Sequence, residues 1–172
     1  MTLPITPSQT IGPFSHEAWR WASAAAAAAA PSITISGIIR DGDGAPITDA
    51  QVEAWSPAAA AADQANALPG FRRVPSDDAG AFSLSLPRAG AQGAGEPATL
   101  ITVFARGLVL HQFSAVFLDD DTGLADSHML QQVPSERHAT LIARKTAPDA
   151  YAWDIWMQGT LETVFFDYAG AP

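Results

Sequence analysis

Residues 33–55, ITISGIIRDGDGAPITDAQVEAW, set the pattern for the chain. Ile33, Ile35, Gly37 and Ile39 alternate with Thr34, Ser36, Ile38 and Arg40, a period of two that places the first set on one face of a strand. Asp41-Gly42-Asp43-Gly44-Ala45-Pro46 then supplies a dense turn signal. Alternation resumes through Ala50, Val52 and Ala54 and ends at Trp55. The reading is strand, turn, strand. Further strands are predicted at 81–86, with Phe82, Leu84 and Leu86 on one face, at 100–106, at 109–118, at 141–143, at 151–158 and at 162–167. Residues 126–130 and 135–140 read as short helical turns, and 57–68 and 87–97 read as loops. Seven or eight short strands with turns between them predict an all-β fold, an antiparallel β-sandwich.

The first 31 residues stand apart from this pattern. Prolines at 4, 7 and 13 exclude helix from the first 14 residues and predict an extended N-terminal arm. Residues 16–30 end in seven consecutive alanines before Pro31, and read either as a helix stopped by that proline or as a low-complexity linker. The predicted domains are therefore 1–31, arm and Ala-rich segment, and 32–172, the sandwich.

Composition narrows the function. A formal charge of −9 with nine Lys plus Arg, and no basic stripe, argues against nucleic-acid binding. The absence of cysteine excludes disulfides, thiolate zinc sites and iron–sulfur clusters. The N-terminus lacks the basic start and apolar run of a secretory signal, and no apolar stretch approaches membrane-span length, so a soluble cytoplasmic protein is expected. His16, His111, His128 and His138 are isolated and lack metal-ligand spacing. Asp119-Asp120-Asp121 lacks the spaced ligands of a calcium loop and reads as a solvated turn. From residues alone, the chain carries no active site of its own.

Five stretches nevertheless resemble one family. TPSQTIGPF (6–14), GIIRDGDGAPITDAQVEAW (37–55), VFARGL (103–108), TLIAR (140–144) and GTLETVFFD (159–167) resemble, in the same order, the intradiol ring-cleavage dioxygenases, and within them the alpha subunits of two-chain members. The resemblance implies a complex that opens the ring of 3,4-dihydroxybenzoate with O2, giving 3-carboxy-cis,cis-muconate. It also implies a beta subunit of similar fold that holds a non-haem Fe(III) with two Tyr and two His, and a higher-order alpha–beta oligomer. The family's His-x-His after proline corresponds here to Pro97-Ala98-Thr99-Leu100, and no tyrosine stands in the two stretches where the family places them. By resemblance this chain holds no metal and no catalytic residue, and it is not active alone. Its contribution is then the arm, with Thr10, Gly12 and Pro13 lining the substrate pocket beside the beta subunit.

Two departures stand out. Alpha subunits carry Thr-Arg where this chain has Ser114-Ala115, the Arg being a contact expected for the substrate carboxylate, and Phe14 stands where Tyr is common. Two other readings remain open: a transthyretin-like binding or assembly module, which would share the Asp-Gly turn, and a subunit that assembles but has lost its pocket role.

Overall fold

The computed structural model describes residues 9–17, 20–24, 32–87 and 93–167. The arm's first eight residues, most of the alanine run, part of the 87–97 loop and Tyr168 lie outside these. The fold is all-β, as expected. The strands form a single nine-stranded sheet. One half runs β7 (Ile142–Ala147), β8 (Ala150–Ala152), β1 (Ser32–Arg40), β4 (Ala81–Pro87), and the other runs β3 (Phe71–Pro75), β2 (Gln51–Trp55), β5 (Thr99–Phe104), β6 (Gln112–Leu118), the two joined where β6 pairs with β7. The turn after β1 therefore carries the chain from one half of the sheet to the other rather than closing a hairpin.

The alternation of β1 explains its pairing. Ile33, Ile35 and Gly37 lie opposite Leu86, Leu84 and Phe82 of β4, so apolar residues from both strands share the inward face. They meet Val52, Ala54, Ile101 and Val103 of the other half of the sheet in one buried core. A smaller cluster lies on the outer side of that sheet, where Ala115 and Phe117 pack against Leu130, Val133 and Leu141 beneath short 3-10 turns.

Two turns of the same spelling, D-x-x-G-A, frame β1 and β4. Asp41 Oδ1 accepts from the N–H groups of Asp43 at 3.0 Å and Ala45 at 2.9 Å. Asp77 Oδ1 does the same for Ala79 at 2.9 Å and Ala81 at 2.8 Å. The fourth residue adopts the left-handed region in each, with φ of 83° at Gly44 and 72° at Gly80, which favours glycine.

The structure corrects the sequence reading in several places. Three ladders are parallel, joining β6 to β7, β1 to β8, and β1 to the short β9 (Ile155–Trp156). The predicted strand over 151–158 is split between β8 and β9, with Trp153 and Asp154 at the break. A Cβ at Gly37 would lie 1.8 Å from the Trp153 carbonyl oxygen, so the break and the glycine require each other. The 57–68 loop contains a 3-10 helix, Pro57–Asp63. The predicted last strand, 162–167, makes only an isolated bridge between Phe166 and Phe113. Side chains satisfy Val164, where Ser114 Oγ donates to the carbonyl at 2.8 Å and the N–H donates to Thr140 Oγ1 at 3.2 Å, while the Thr163 and Phe166 N–H groups donate to the Trp156 and Phe113 carbonyls. Within 16–30 the structure describes a 3-10 turn, Ser15–Glu17, and a one-turn helix α1, Arg20–Ala24. Among the described residues no helix is long and apolar enough to cross a membrane.

Candidate functional site

The described part of the arm is tied down at two points. The Ile11 N–H donates to the Leu108 carbonyl at 2.5 Å, and the Gly107 N–H donates to the Ile11 carbonyl at 3.4 Å. Farther along, Arg73 Nη2 donates to the Ser15 carbonyl at 2.8 Å. Arg73 is positioned by an ion pair with Glu53, its cross-strand neighbour on β2, and by the Phe104 ring 5.7 Å from its guanidinium carbon. Phe104 lies against His111, at 5.4 Å between centroids, and His111 meets the edge of Phe113 at 4.6 Å. An aromatic row on the β5–β6 side thus adjoins the residues that hold the arm.

Thr10, just before the first tie, and Gly12, between the two, are exposed, and Pro13 is half-buried. A Cβ at Gly12 would meet nothing within 4 Å, and its φ lies outside the left-handed region. Nothing within the described chain demands glycine there. Phe14, 71% exposed, stands beside it in sequence, and Val109 and Leu110 are exposed next to the Gly107–Leu108 tie.

Ala98 and Leu100, expected from the resemblance to stand where the family has histidines, belong to different clusters. Ala98 belongs to the main buried core, whereas Leu100, opposite Trp55 on β2, packs with the smaller cluster. Leu100 and Trp55 line a cavity of about 290 Å³ together with Pro57, Ala58, Glu96 and Met129. Its hydroxyls are committed to backbone: Ser56 Oγ donates to the Ala98 carbonyl at 3.2 Å and Thr99 Oγ1 to the Leu100 carbonyl at 3.3 Å. Among the described residues Glu96 is the one carboxylate on its wall. A ferric ion requires several anionic or imidazole donors to displace its water. This donor set does not fit one. Among the described residues no group of three or more His, Cys, Asp and Glu is placed to share a metal ion.

The Ser114–Ala115 position is interior. Ala115 is fully buried in the smaller core and Ser114 is held by Val164. An arginine there would need a cavity that this packing has filled.

One buried constellation escaped the sequence reading. Asp63, at the end of the 3-10 helix, and Arg72 on β3 are 0% and 1% exposed in their side chains and form a two-pronged ion pair at 2.7 and 2.8 Å. Asp63 also accepts from the Gly70 N–H at 2.7 Å and Asn66 Nδ2 at 2.6 Å, while Arg72 Nε donates to the Ser85 carbonyl of β4 at 2.8 Å. The Arg72 guanidinium holds the Asp63 carboxyl below its ordinary range, against the opposing effect of burial. All partners are intrachain, so this pair clamps β3, β4 and the 3-10 helix and leaves nothing for a ligand. On the opposite side, hydrogen bonds first from Lys145 and also from Tyr151 lower the Asp120 carboxyl.

No family model matches the chain. It is 33% identical to the protocatechuate 3,4-dioxygenase alpha chain of Burkholderia cepacia, over 96% of this chain and 98% of that one. It is 32% identical to the alpha chain of the same name from Pseudomonas putida, with the same coverages. Its fold is similar to the dioxygenase domain of a dioxygenase–carbohydrate-binding fusion from Streptomyces sp. SirexAA-E, with a TM-score of 0.59, 12% identity, and 78% and 84% of the two chains covered. It is also similar to hydroxyquinol 1,2-dioxygenase from Pseudomonas putida DLL-E4, with a TM-score of 0.55, 16% identity, and 77% and 58% covered.

Proposed function

The chain belongs to the family of protocatechuate 3,4-dioxygenase alpha chains, and from that premise we propose that it is the iron-free subunit of a complex that opens the ring of 3,4-dihydroxybenzoate between its two hydroxyls, giving 3-carboxy-cis,cis-muconate. The Fe(III) and its Tyr and His ligands belong to a beta subunit of similar fold. This chain supplies the arm, with Thr10, Gly12 and Pro13 closing the substrate pocket where the two subunits meet, and several alpha–beta pairs associate.

The observation that carries this reading is Gly12. It sits exposed between two anchored points, with open space where a side chain would go and no backbone conformation that requires glycine. A glycine with no internal reason suits a surface that must approach something outside the chain. Backbone at Gly12 can come close to a flat aromatic ring, Pro13 stiffens the approach, and the exposed Thr10 hydroxyl offers a hydrogen bond. Exposed Phe14, Val109 and Leu110 give the same face the apolar character of an interface that a partner covers.

The test is Gly12→Val in the assembled complex. A branched side chain pressed against the substrate costs roughly 1–3 kcal/mol, about one to two decades in kcat/KM when it is felt in the transition state. Iron content and complex size should stay at their wild-type values. Wild-type kcat/KM in an intact Gly12→Val complex would refute the pocket role, and a loss that merely follows dissociation would reduce the arm to packing.

A further inference from the structure

Most of the described cations face carboxylates: Arg20, Arg40, Arg72, Arg73, Arg106 and Lys145 pair with Glu17, Asp154, Asp63, Glu53, Asp49 and Asp120. Arg144 departs from this. It is exposed on β7, opposite Ala152 on β8, and among the described residues no hydrogen-bond or ion-pair partner meets its side chain. In a chain of formal charge −9, an uncompensated guanidinium is unusual.

Arg144 stands on the wall of a cavity of about 390 Å³ whose other walls include Trp153, Trp156, Ile142 and Leu161, the last 56% exposed. The polar groups of the floor are already engaged. Trp153 Nε1 donates to the Thr140 carbonyl at 2.9 Å, Thr140 Oγ1 donates to the Arg137 carbonyl at 2.8 Å, and Thr163 Oγ1 accepts the Trp156 N–H at 3.0 Å. Asp154 is the acidic residue among the described lining. Its Oδ1 accepts the Ile38 N–H at 2.8 Å and its Oδ2 lies 3.8 Å from Arg40 Nε, which leaves acceptor capacity on both oxygens.

We propose that this cavity is a second, non-catalytic site for a hydroxylated aromatic carboxylate. Its carboxylate pairs with Arg144, its ring lies against the Trp156 and Leu161 wall, and its phenolic hydroxyl donates to Asp154. A guanidinium and a carboxylate on separate walls of an apolar cavity suit a ligand with an acid at one end and a hydrogen-bond donor at the other. That class includes the substrate proposed above, so the site would hold substrate or a close relative on the alpha chain, away from the arm. The ligand class follows from the cavity, and only the choice of the assembled complex for the test rests on the proposed function.

The test counts ligands by equilibrium dialysis of the alpha–beta complex against 4-hydroxybenzoate, which lacks the second hydroxyl of the proposed substrate. The wild-type complex should bind one more molecule per alpha chain than the Arg144→Gln complex, with kcat/KM equal in the two. Loss of a charge-assisted pair weakens binding by roughly tenfold to a hundredfold, and Arg144→Lys should restore part of it. Equal ligand counts in wild type and Arg144→Gln would overturn the site, including the case in which the partner chain covers the cavity. Failure of the functional reading looks different: no ring cleavage by either complex, with the difference in ligand count intact.

Discussion

Around Leu100 each described hydroxyl is committed to a neighbouring carbonyl, and the wall is closed by Trp55, Pro57, Leu100 and Met129. Along the arm the reverse holds: Thr10 and Gly12 are exposed, Gly12 is free of steric demand, and the described segment is tied to the strands and their loops at Ile11 and Ser15. Both regions belong to one chain and one sheet system. The first lines a cavity of about 290 Å³ whose hydroxyls are engaged within the chain. The second leaves its groups facing outward. On the proposed function, the work of this chain lies at that edge, which the interior holds in place.

The largest expected effect falls on the interior. Asp63→Ala would leave Arg72 charged, buried and without its carboxylate, at a cost of about 3–5 kcal/mol, read as a lower Tm and denaturation midpoint. The same pair sets an acid limit. Because the folded pKa of Asp63 is depressed, its contribution is fully present above the unfolded value near ~3.9 and is lost as pH falls toward the lower folded value. Stability should therefore decline below about pH 4, and Asp63→Ala should decline less over that range. An Asp63→Ala chain as stable as wild type would remove the interior half of the contrast.

The smallest expected effect falls on the arm. Thr10→Ala removes one exposed hydroxyl and should leave Tm unchanged. If the hydroxyl meets substrate, the loss is roughly 0.5–1.5 kcal/mol, about twofold to tenfold in kcat/KM of the complex. A change in Tm with unchanged kcat/KM would reverse the assignment and make Thr10 a packing residue.

The sandwich was legible because alternation in β1 and β4 and the Asp-Gly turns report local physics that the tertiary structure does not override. The parallel ladders were not, since periodicity gives a strand's faces and says nothing of its neighbour's direction. The tail 162–167 misled because its β-branched and aromatic residues satisfy strand propensity, while its hydrogen bonds are scattered over Trp156, Phe113, Ser114 and Thr140 and build no continuous ladder. The Asp63–Arg72 clamp lay in a stretch without periodicity, and a buried pair nine residues apart leaves no pattern. Its one signal was an isolated Asp in an alanine-rich segment. The resemblance at Ala98 and Leu100 pointed to lost ligands, yet only the structure shows the two residues in separate clusters. The arm's tie to Gly107 and Leu108 joins residues about a hundred positions apart, which no local reading could supply.

The most direct measurement is iron content, taken on the purified chain after incubation with ferric salt and on the complex with its beta subunit, alongside ring-cleavage activity. The chain alone should hold no more than a trace of iron and show no activity, while the complex should hold one iron per alpha–beta pair and open 3,4-dihydroxybenzoate. One iron per chain in the isolated protein would contradict the assignment of the metal to the partner and of the arm to this chain.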